Sequence, residues 1–353
     1  MKKYIGCDAH ARYSIFAVLR EDGRWEAPVR VEHQESEMER YLKQLSPGTP
    51  VALESSGNWY WLVRAMEEAG LEPRLAHALE AKKRMPGRNK TDHLDAKGLA
   101  LMLRTGSLPE VWIPPASLLD LRDLMRTRLA TRQQGSELKC RILSALRRYG
   151  VRGYEDGNDL FAESRRAKLA VAIGRLPQEC RIAVTEQWQL LEELEAHIGA
   201  MEERIRLRIA SLGWVRLLKT LPGVGTILGS TIYLEIGDVA RFPSPEHLAS
   251  YAGLVPTVHA SGGKSWHGPT PRAANHFLKW AFVEAANVTT TRRKGWADKH
   301  VVKLYERLRA TKCHGKAATA VARHLAESSW WILSKKQPYR DPALGTRSSS
   351  KNG

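Results

Sequence analysis

An α/β domain followed by a longer, basic, helical region is the fold class that the sequence predicts. Three observations predict it. Short apolar runs alternate with amphipathic stretches up to about residue 110. Pro109, Pro114 and Pro115 then punctuate the chain. Beyond them, apolar residues recur at helical spacing in a highly charged background.

In the first region the spacing predicts strands over 5–8 and 13–19, and Asp22-Gly23 marks a hairpin turn into a third strand over 25–31. A short helix follows over 36–45, broken by Pro47-Gly48, then a buried strand over 50–54. Gly57-Asn58 opens a helix over 59–69, which Gly70 stops, and 72–76 reads as a fifth strand. A last helix spans 91–104. Three antiparallel strands followed by alternating helix and strand is the layout of an RNase H-like domain. In that layout the first and fourth strands are neighbours.

From 116 to about 212 the chain reads as mostly helical, with breaks at Gln133-Gln134-Gly135 and over 150–159. Leu191, Leu194, Ile198, Met201, Ile205 and Leu212 have heptad spacing. This fits either a helical hairpin within one chain or a short coiled coil between chains. Leu221-Pro222-Gly223-Val224-Gly225, followed by an apolar helix over 227–236, reads as a helix-hairpin-helix whose turn offers backbone N–H groups to a phosphate. Glycine-rich basic loops follow, and 317–333 is the last helix. The domain division is 1–112, 113–214 and 215–340, with a polar, serine-rich tail over 341–353 expected to be disordered.

The chain has 353 residues, 43% of them hydrophobic, and a formal net charge of +17. That excess points to a polyanion, and nucleic acid is the first candidate. No apolar stretch is long enough to span a bilayer, and the N-terminus runs directly into a strand, so the chain reads as cytoplasmic, nucleoid-associated when bound to DNA. Cys7, Cys140, Cys180 and Cys313 have no paired spacing, which argues against a zinc site or a disulfide framework. Cys313-His314 is read as surface chemistry without function.

Four acids carry the first chemical signal. Asp8 and Glu54 end apolar runs, and Asp92 and Asp95 stand three apart at a helix start, on one helical face. The RNase H-like layout would bring all four together. Carboxylates so collected repel one another unless a cation lies between them, and Mg²⁺ suits hard oxygen ligands and phosphate chemistry. The bland alternative is surface acids on strand ends, with Asp92 answering a helix dipole.

The second signal is Ser261-Gly262-Gly263-Lys264-Ser265, with Arg272, Asn275 and Lys279 after it. A serine in a glycine-flexible loop amid cations can attack a phosphodiester, or the loop only positions nucleic acid. The third is the basic segment Lys82, Lys83, Arg84, Arg88 and Lys90, immediately before Asp92. It is either a solvated loop or a clamp on the phosphate backbone, and Gly223 and Gly225 at the hairpin turn are further candidate nucleic-acid contacts. Trp59, Tyr60 and Trp61 are core aromatics or a stacking platform.

These blocks resemble the DEDD insertion-sequence transposases of the IS-one-ten family, relatives of Piv-type DNA invertases. Ile5-Gly6-Cys7-Asp8, Leu53-Glu54-Ser55-Ser56-Gly57-Asn58-Trp59 and Lys90-Thr91-Asp92-His93-Leu94-Asp95-Ala96 look like the blocks of its RuvC-like domain. Leu221-Pro222-Gly223-Val224-Gly225, Ala249-Ser250-Tyr251-Ala252-Gly253-Leu254-Val255-Pro256 and Ser261-Gly262-Gly263 look like those of its C-terminal transposase domain. The chain departs from the pattern at Ala274-Asn275, where Gly-Asn is usual.

The resemblance implies that Asp8, Glu54, Asp92 and Asp95 hold Mg²⁺ and that Ser261 is a recombinase nucleophile, joined transiently to DNA. It implies a structured noncoding guide RNA that pairs with donor and target DNA. It also implies a homodimer or homotetramer with composite sites, the acidic domain of one protomer meeting the serine domain of another. The alternatives are a RuvC-like junction nuclease in which a metal-activated water cuts, and a non-catalytic nucleic-acid-binding protein.

Overall fold

The computed structural model describes residues 2–55, 57–85, 92–152, 159–210, 212–261, 264–271 and 273–342. Two compact units divide the chain, Met1–Pro114 and Pro115–Gly353.

In the first unit β1 (Lys3–Ala9), β2 (Tyr13–Arg20) and β3 (Val29–Glu32) pair antiparallel. The third strand starts later than its predicted Trp25. Trp25 makes only an isolated bridge to Leu19, and Pro28, which has no N–H to give a ladder, intervenes. α1 (Glu35–Lys43) leads to β4 (Pro50–Glu54), which lies parallel to β1. α2 (Trp59–Glu68), β5 (Glu72–Ala76), α3 (Ala78–Arg84), α4 (Asp92–Arg104) and a short β6 (Glu110–Val111) complete the unit. The sheet order is β3-β2-β1-β4-β5-β6. The first and fourth strands are neighbours as expected; β6, antiparallel to β5, was not foreseen. Ile5, Cys7, Phe16, Leu53, Leu62 and Met66 form one apolar core against the α1–α2 side.

Gly6 decides how α4 meets the sheet. A Cβ there would lie 1.9 Å from the Ala96 carbonyl oxygen and 2.7 Å from the Ala100 nitrogen. Only a glycine lets the helix backbone come this close to the strand.

The second unit begins with α5 (Ala116–Arg148), followed by α6 (Arg166–Gly174) and α7 (Gln178–Ile205). The break expected at Gln133-Gln134-Gly135 is absent. Gly135 is buried inside the continuous α5, and its Cβ position faces Leu191 of α7 at 3.4 Å. The glycine serves a close helix–helix approach, which periodicity alone cannot distinguish from a breaker. Of the predicted seam, Leu191, Ile198 and Ile205 are buried within the chain, Leu191 in one core cluster with Leu138 and Ile142 and Ile205 in another with Met125, while Leu194 and Met201 are half-buried. Arg206–Ala210 then forms a π-helical turn, so Leu212 falls outside α7.

Next come α8 (Gly213–Leu218), α9 (Thr226–Ile236), α10 (Pro245–Tyr251), the hairpin β7 (Val258–Ser261) and β8 (Lys264–His267), α11 (His276–Thr291), α12 (His300–Arg309) and α13 (His314–Lys335). α8 and α9 flank the expected helix-hairpin-helix turn. Gly223 has φ +76° there, and a Cβ would lie 2.3 Å from the Ala285 carbonyl oxygen of α11. The core of these helices gathers Leu221, Ile232, Leu248, Phe282, Val321 and Leu325. Asp341, the first residue of the tail expected to be disordered, is tied to the helical core. The Asp341 carboxylate accepts the His300 N–H at 3.1 Å and the Tyr339 hydroxyl at 2.8 Å, while 343–353 lie outside the described residues. Among the described residues, no helix is long and apolar enough to cross a membrane.

Candidate active site

β1 and β4 run parallel with Cys7 opposite Leu53, so Asp8 and Glu54 are the next residues at the carboxyl ends of two adjacent strands. α4 crosses β1 at Gly6 and starts at Asp92, placing Asp92 and Asp95 in its first turn. There the helix dipole stabilises their negative charge.

The closest group of ligand atoms among the described residues is Asp8, His10 and Asp92, all within 4.8 Å of one another. Nε2 of His10 lies 3.1 Å from Oδ2 of Asp8 and 3.2 Å from Oδ2 of Asp92. The Tyr13 hydroxyl donates to the same Asp92 oxygen at 3.1 Å. Asp95 acts on Asp8 through its charge, and Glu54 stands on the neighbouring strand outside the close group.

His10 and Tyr13 were missed by sequence reasoning. The signal for His10 was its place two residues after Asp8, the spacing that returns an extended chain to the same face. Its ring stacks on Tyr13 with centroids 4.6 Å apart, and the Arg30 guanidinium covers that tyrosine at 3.7 Å. The His10 N–H donates to the Tyr13 carbonyl, and the Asn58 side-chain amide donates to the His10 carbonyl.

Partial burial raises the Asp8 pKa above the usual carboxylate value. His10 opposes this, while Asp95 and Asp92 add to it through like charge. Carboxylates gathered so closely form a donor set suited to a hard divalent cation, which removes the repulsion.

The basic segment is not one loop. Lys82, Lys83 and Arg84 form the last turn of α3, where they answer the helix dipole. Lys83 pairs with Glu80 at 2.7 Å, and Arg84 donates to the Ser107 carbonyl at 2.7 Å. Arg88 and Lys90 lie outside the described residues. Trp59 stacks on Tyr60 at 4.1 Å and packs on the core, whereas Trp61 is 40% exposed.

Ser261 was expected in a loop. Its backbone is instead the last residue of β7, opposite Lys264 of β8, while Gly262, Gly263 and Arg272 lie outside the described residues. The hairpin is closed at its base, where Thr257 accepts the Gly268 N–H at 2.7 Å and donates its own to Pro269 at 3.1 Å. Lys279 holds Thr270 at 2.9 Å. Asn275 caps α11 by accepting the Leu278 N–H, and donates to Glu235 at 2.7 Å and to the Tyr251 hydroxyl at 3.2 Å.

Glu235, 1% exposed, also takes a two-pronged contact from Arg126 of α5, 2.8 Å at each oxygen. Arg122 donates to the Leu234 and Glu235 carbonyls. Burial would raise the Glu235 pKa, but Arg126, Asn275 and Arg122 outweigh it and hold the carboxyl below its usual value. Gly223 is packed on α11, and Gly225, at the N-terminal end of α9, is exposed.

The likeness to known proteins runs through both units. Residues 5–151 match the DEDD-type IS110 transposase family, and residues 215–302 match the Transposase IS116/IS110/IS902 family. The chain is 25% identical over 252 residues to the transposase for insertion sequence element IS1111A of Coxiella burnetii, covering 71% of this chain and 69% of that protein. It is 27% identical to the putative transposase y4qE of Sinorhizobium fredii, covering 93% of this chain and 88% of that protein. A 43.6 kDa protein of insertion element IS110 from Streptomyces coelicolor is 37% identical over 132 residues, covering 37% of this chain and 29% of that protein. With both family blocks in order, and the first of them spanning all four predicted acids, the chain belongs to the IS110 family of insertion-sequence transposases.

Proposed function

We propose that the protein catalyses metal-dependent, serine-mediated DNA strand exchange for an insertion sequence, guided by a structured noncoding RNA. The observation that carries the reading is the meeting of Asp8 and Asp92 around one point, in a block matched by the DEDD family. Asp8, Glu54, Asp92 and Asp95 would hold Mg²⁺. When bound, the cation supplies neutralising charge at the phosphate oxygens and polarises the scissile bond.

The chain's own residues do the rest. Oγ of Ser261 attacks a DNA phosphorus, giving up its proton as the P–O bond forms. The bond to the 3′ oxygen breaks, and that oxygen leaves as a 3′-hydroxyl after taking up a proton. The phosphoserine link keeps the phosphodiester energy, so a 3′-hydroxyl of the partner strand can attack it and rejoin DNA without ATP. Lys264, Arg272 and Lys279 stabilise charge on the phosphate oxygens. Lys82, Lys83, Arg84, Arg88, Lys90, Gly223 and Gly225 track the backbone. In a homodimer or homotetramer, the acidic unit of one protomer works with the serine unit of another.

A suicide substrate tests the nucleophile. Wild type forms a gel-stable protein–DNA adduct; Ser261→Ala loses it but still binds DNA, and Ser265→Ala is much milder. An adduct in Ser261→Ala places the nucleophile elsewhere, and cleavage without any adduct favours a RuvC-like hydrolysis. The guide is tested by sequencing the co-purified RNA and reconstituting with it. With a charge of +17 and base reading delegated to pairing, one enriched species should restore site-specific recombination to stripped protein. Site-specific recombination by RNA-free protein refutes the guide.

A further inference from the structure

We propose that His10 is a ligand of the metal centre, which makes it a mixed nitrogen–oxygen site that takes Mn²⁺ more tightly than Mg²⁺. The proposal rests on the metal-centre reading above and adds a donor to it. The spacing is that of a coordination shell. Two ligands on adjacent corners of an octahedron with bonds of about 2.1–2.2 Å lie roughly 3 Å apart. Nε2 of His10 lies 3.1 Å from Oδ2 of Asp8 and 3.2 Å from Oδ2 of Asp92.

The imidazole is also held there before any ion arrives. Tyr13 stacks on its ring at 4.6 Å, and the Tyr13 hydroxyl is tied to Asp92 at 3.1 Å. The main chain of His10 is fixed on both sides, its N–H by the Tyr13 carbonyl and its carbonyl by Asn58. Three contacts, one on the ring and two on the main chain, thus hold His10 in place.

The donor set decides the cation. Mg²⁺ strongly prefers oxygen, whereas a first-row transition ion gains from an imidazole nitrogen. Mn²⁺ keeps the octahedral preference that the carboxylates satisfy. A protonated imidazole forming ion pairs with both carboxylates has the same distances, but it makes the opposite prediction for metal binding. Removing such a cation frees the carboxylates and tightens both ions.

The test uses the full chain, titrated with MnCl₂ and with MgCl₂ in a calorimeter, and pulsed electron paramagnetic resonance of the Mn²⁺ complex. Wild type should show nitrogen modulation from a bound imidazole and tighter Mn²⁺ than Mg²⁺. His10→Ala should lose the modulation and about tenfold or more in Mn²⁺ affinity, with less than about threefold change for Mg²⁺. His10→Gln, which keeps an oxygen donor and the side-chain bulk, should lose the modulation and keep Mg²⁺ binding. Nitrogen modulation that survives in both variants, or affinities that rise or stay unchanged, overturns the proposal. Asp8→Asn separates the two readings. If it leaves both ions bound as in wild type, the metal centre itself fails. If it weakens both while His10→Ala changes neither, only the His10 assignment fails.

Discussion

The carboxylates of the first unit stand on the ends of a six-stranded sheet and the first turn of a helix, whereas Ser261 ends a two-stranded hairpin. A sheet of that width, buttressed by α4 at Gly6, fixes its strand ends through many backbone hydrogen bonds. A two-stranded hairpin is marginal by itself and depends on what secures its base. In the second unit that base runs into the start of α11, where Asn275 joins the cap of the helix to the buried Glu235 and Arg126. A metal site tolerates little error in ligand position, so its residues belong on rigid elements. Ser261, the proposed nucleophile, sits instead on a small element whose root is fixed at the start of α11.

Substitutions can break this contrast from either side. The largest effect is expected at the root of the hairpin. Glu235→Ala leaves Arg126 and Asn275 without their buried partner and should cost about 3–5 kcal/mol of stability by denaturant unfolding. Glu203→Ala, whose carboxylate pairs with Arg206 in solvent, should leave the transition unchanged. Equal effects from the two would remove the buried network as the anchor.

Gly6→Ala attacks the other side. The new Cβ would need the space of the Ala96 carbonyl, so α4 must shift and take Asp92 and Asp95 with it. About 1–3 kcal/mol of stability should be lost, and divalent-cation binding with it. Unchanged binding would mean that α4 does not set the metal ligands. Tyr13→Phe is the mildest. It removes one hydrogen bond to Asp92 and keeps the stack on His10, so calorimetry should report about tenfold weaker metal binding with an unaltered fold.

Much of the first unit was legible because its signals are local. Apolar runs ending in Asp8 and Glu54 are strand ends, and the strand order follows from the layout. His10 and Tyr13 escaped because their role depends on α4 arriving from some 80 residues later, with Tyr13 and Asp92 separated by 79 positions. Gln133-Gln134-Gly135 was misread because a glycine that admits a neighbouring helix looks the same as one that ends its own. The Glu235 network was hidden for a similar reason. Glu235 lies in a helix that reads as apolar, and its partners Arg122 and Arg126 are more than 100 positions away. No pattern of period two or 3.6 joins such residues.

The claim that both units serve one reaction is tested most directly by mapping the covalent link. Wild-type adduct formed on a suicide substrate with a divalent cation is digested with nuclease and protease and sequenced by tandem mass spectrometry. The account predicts a phosphonucleotide on Ser261 in wild type and its loss in Asp8→Asn assayed in parallel. A modification on another residue, or an undiminished Ser261 adduct in Asp8→Asn, would contradict it.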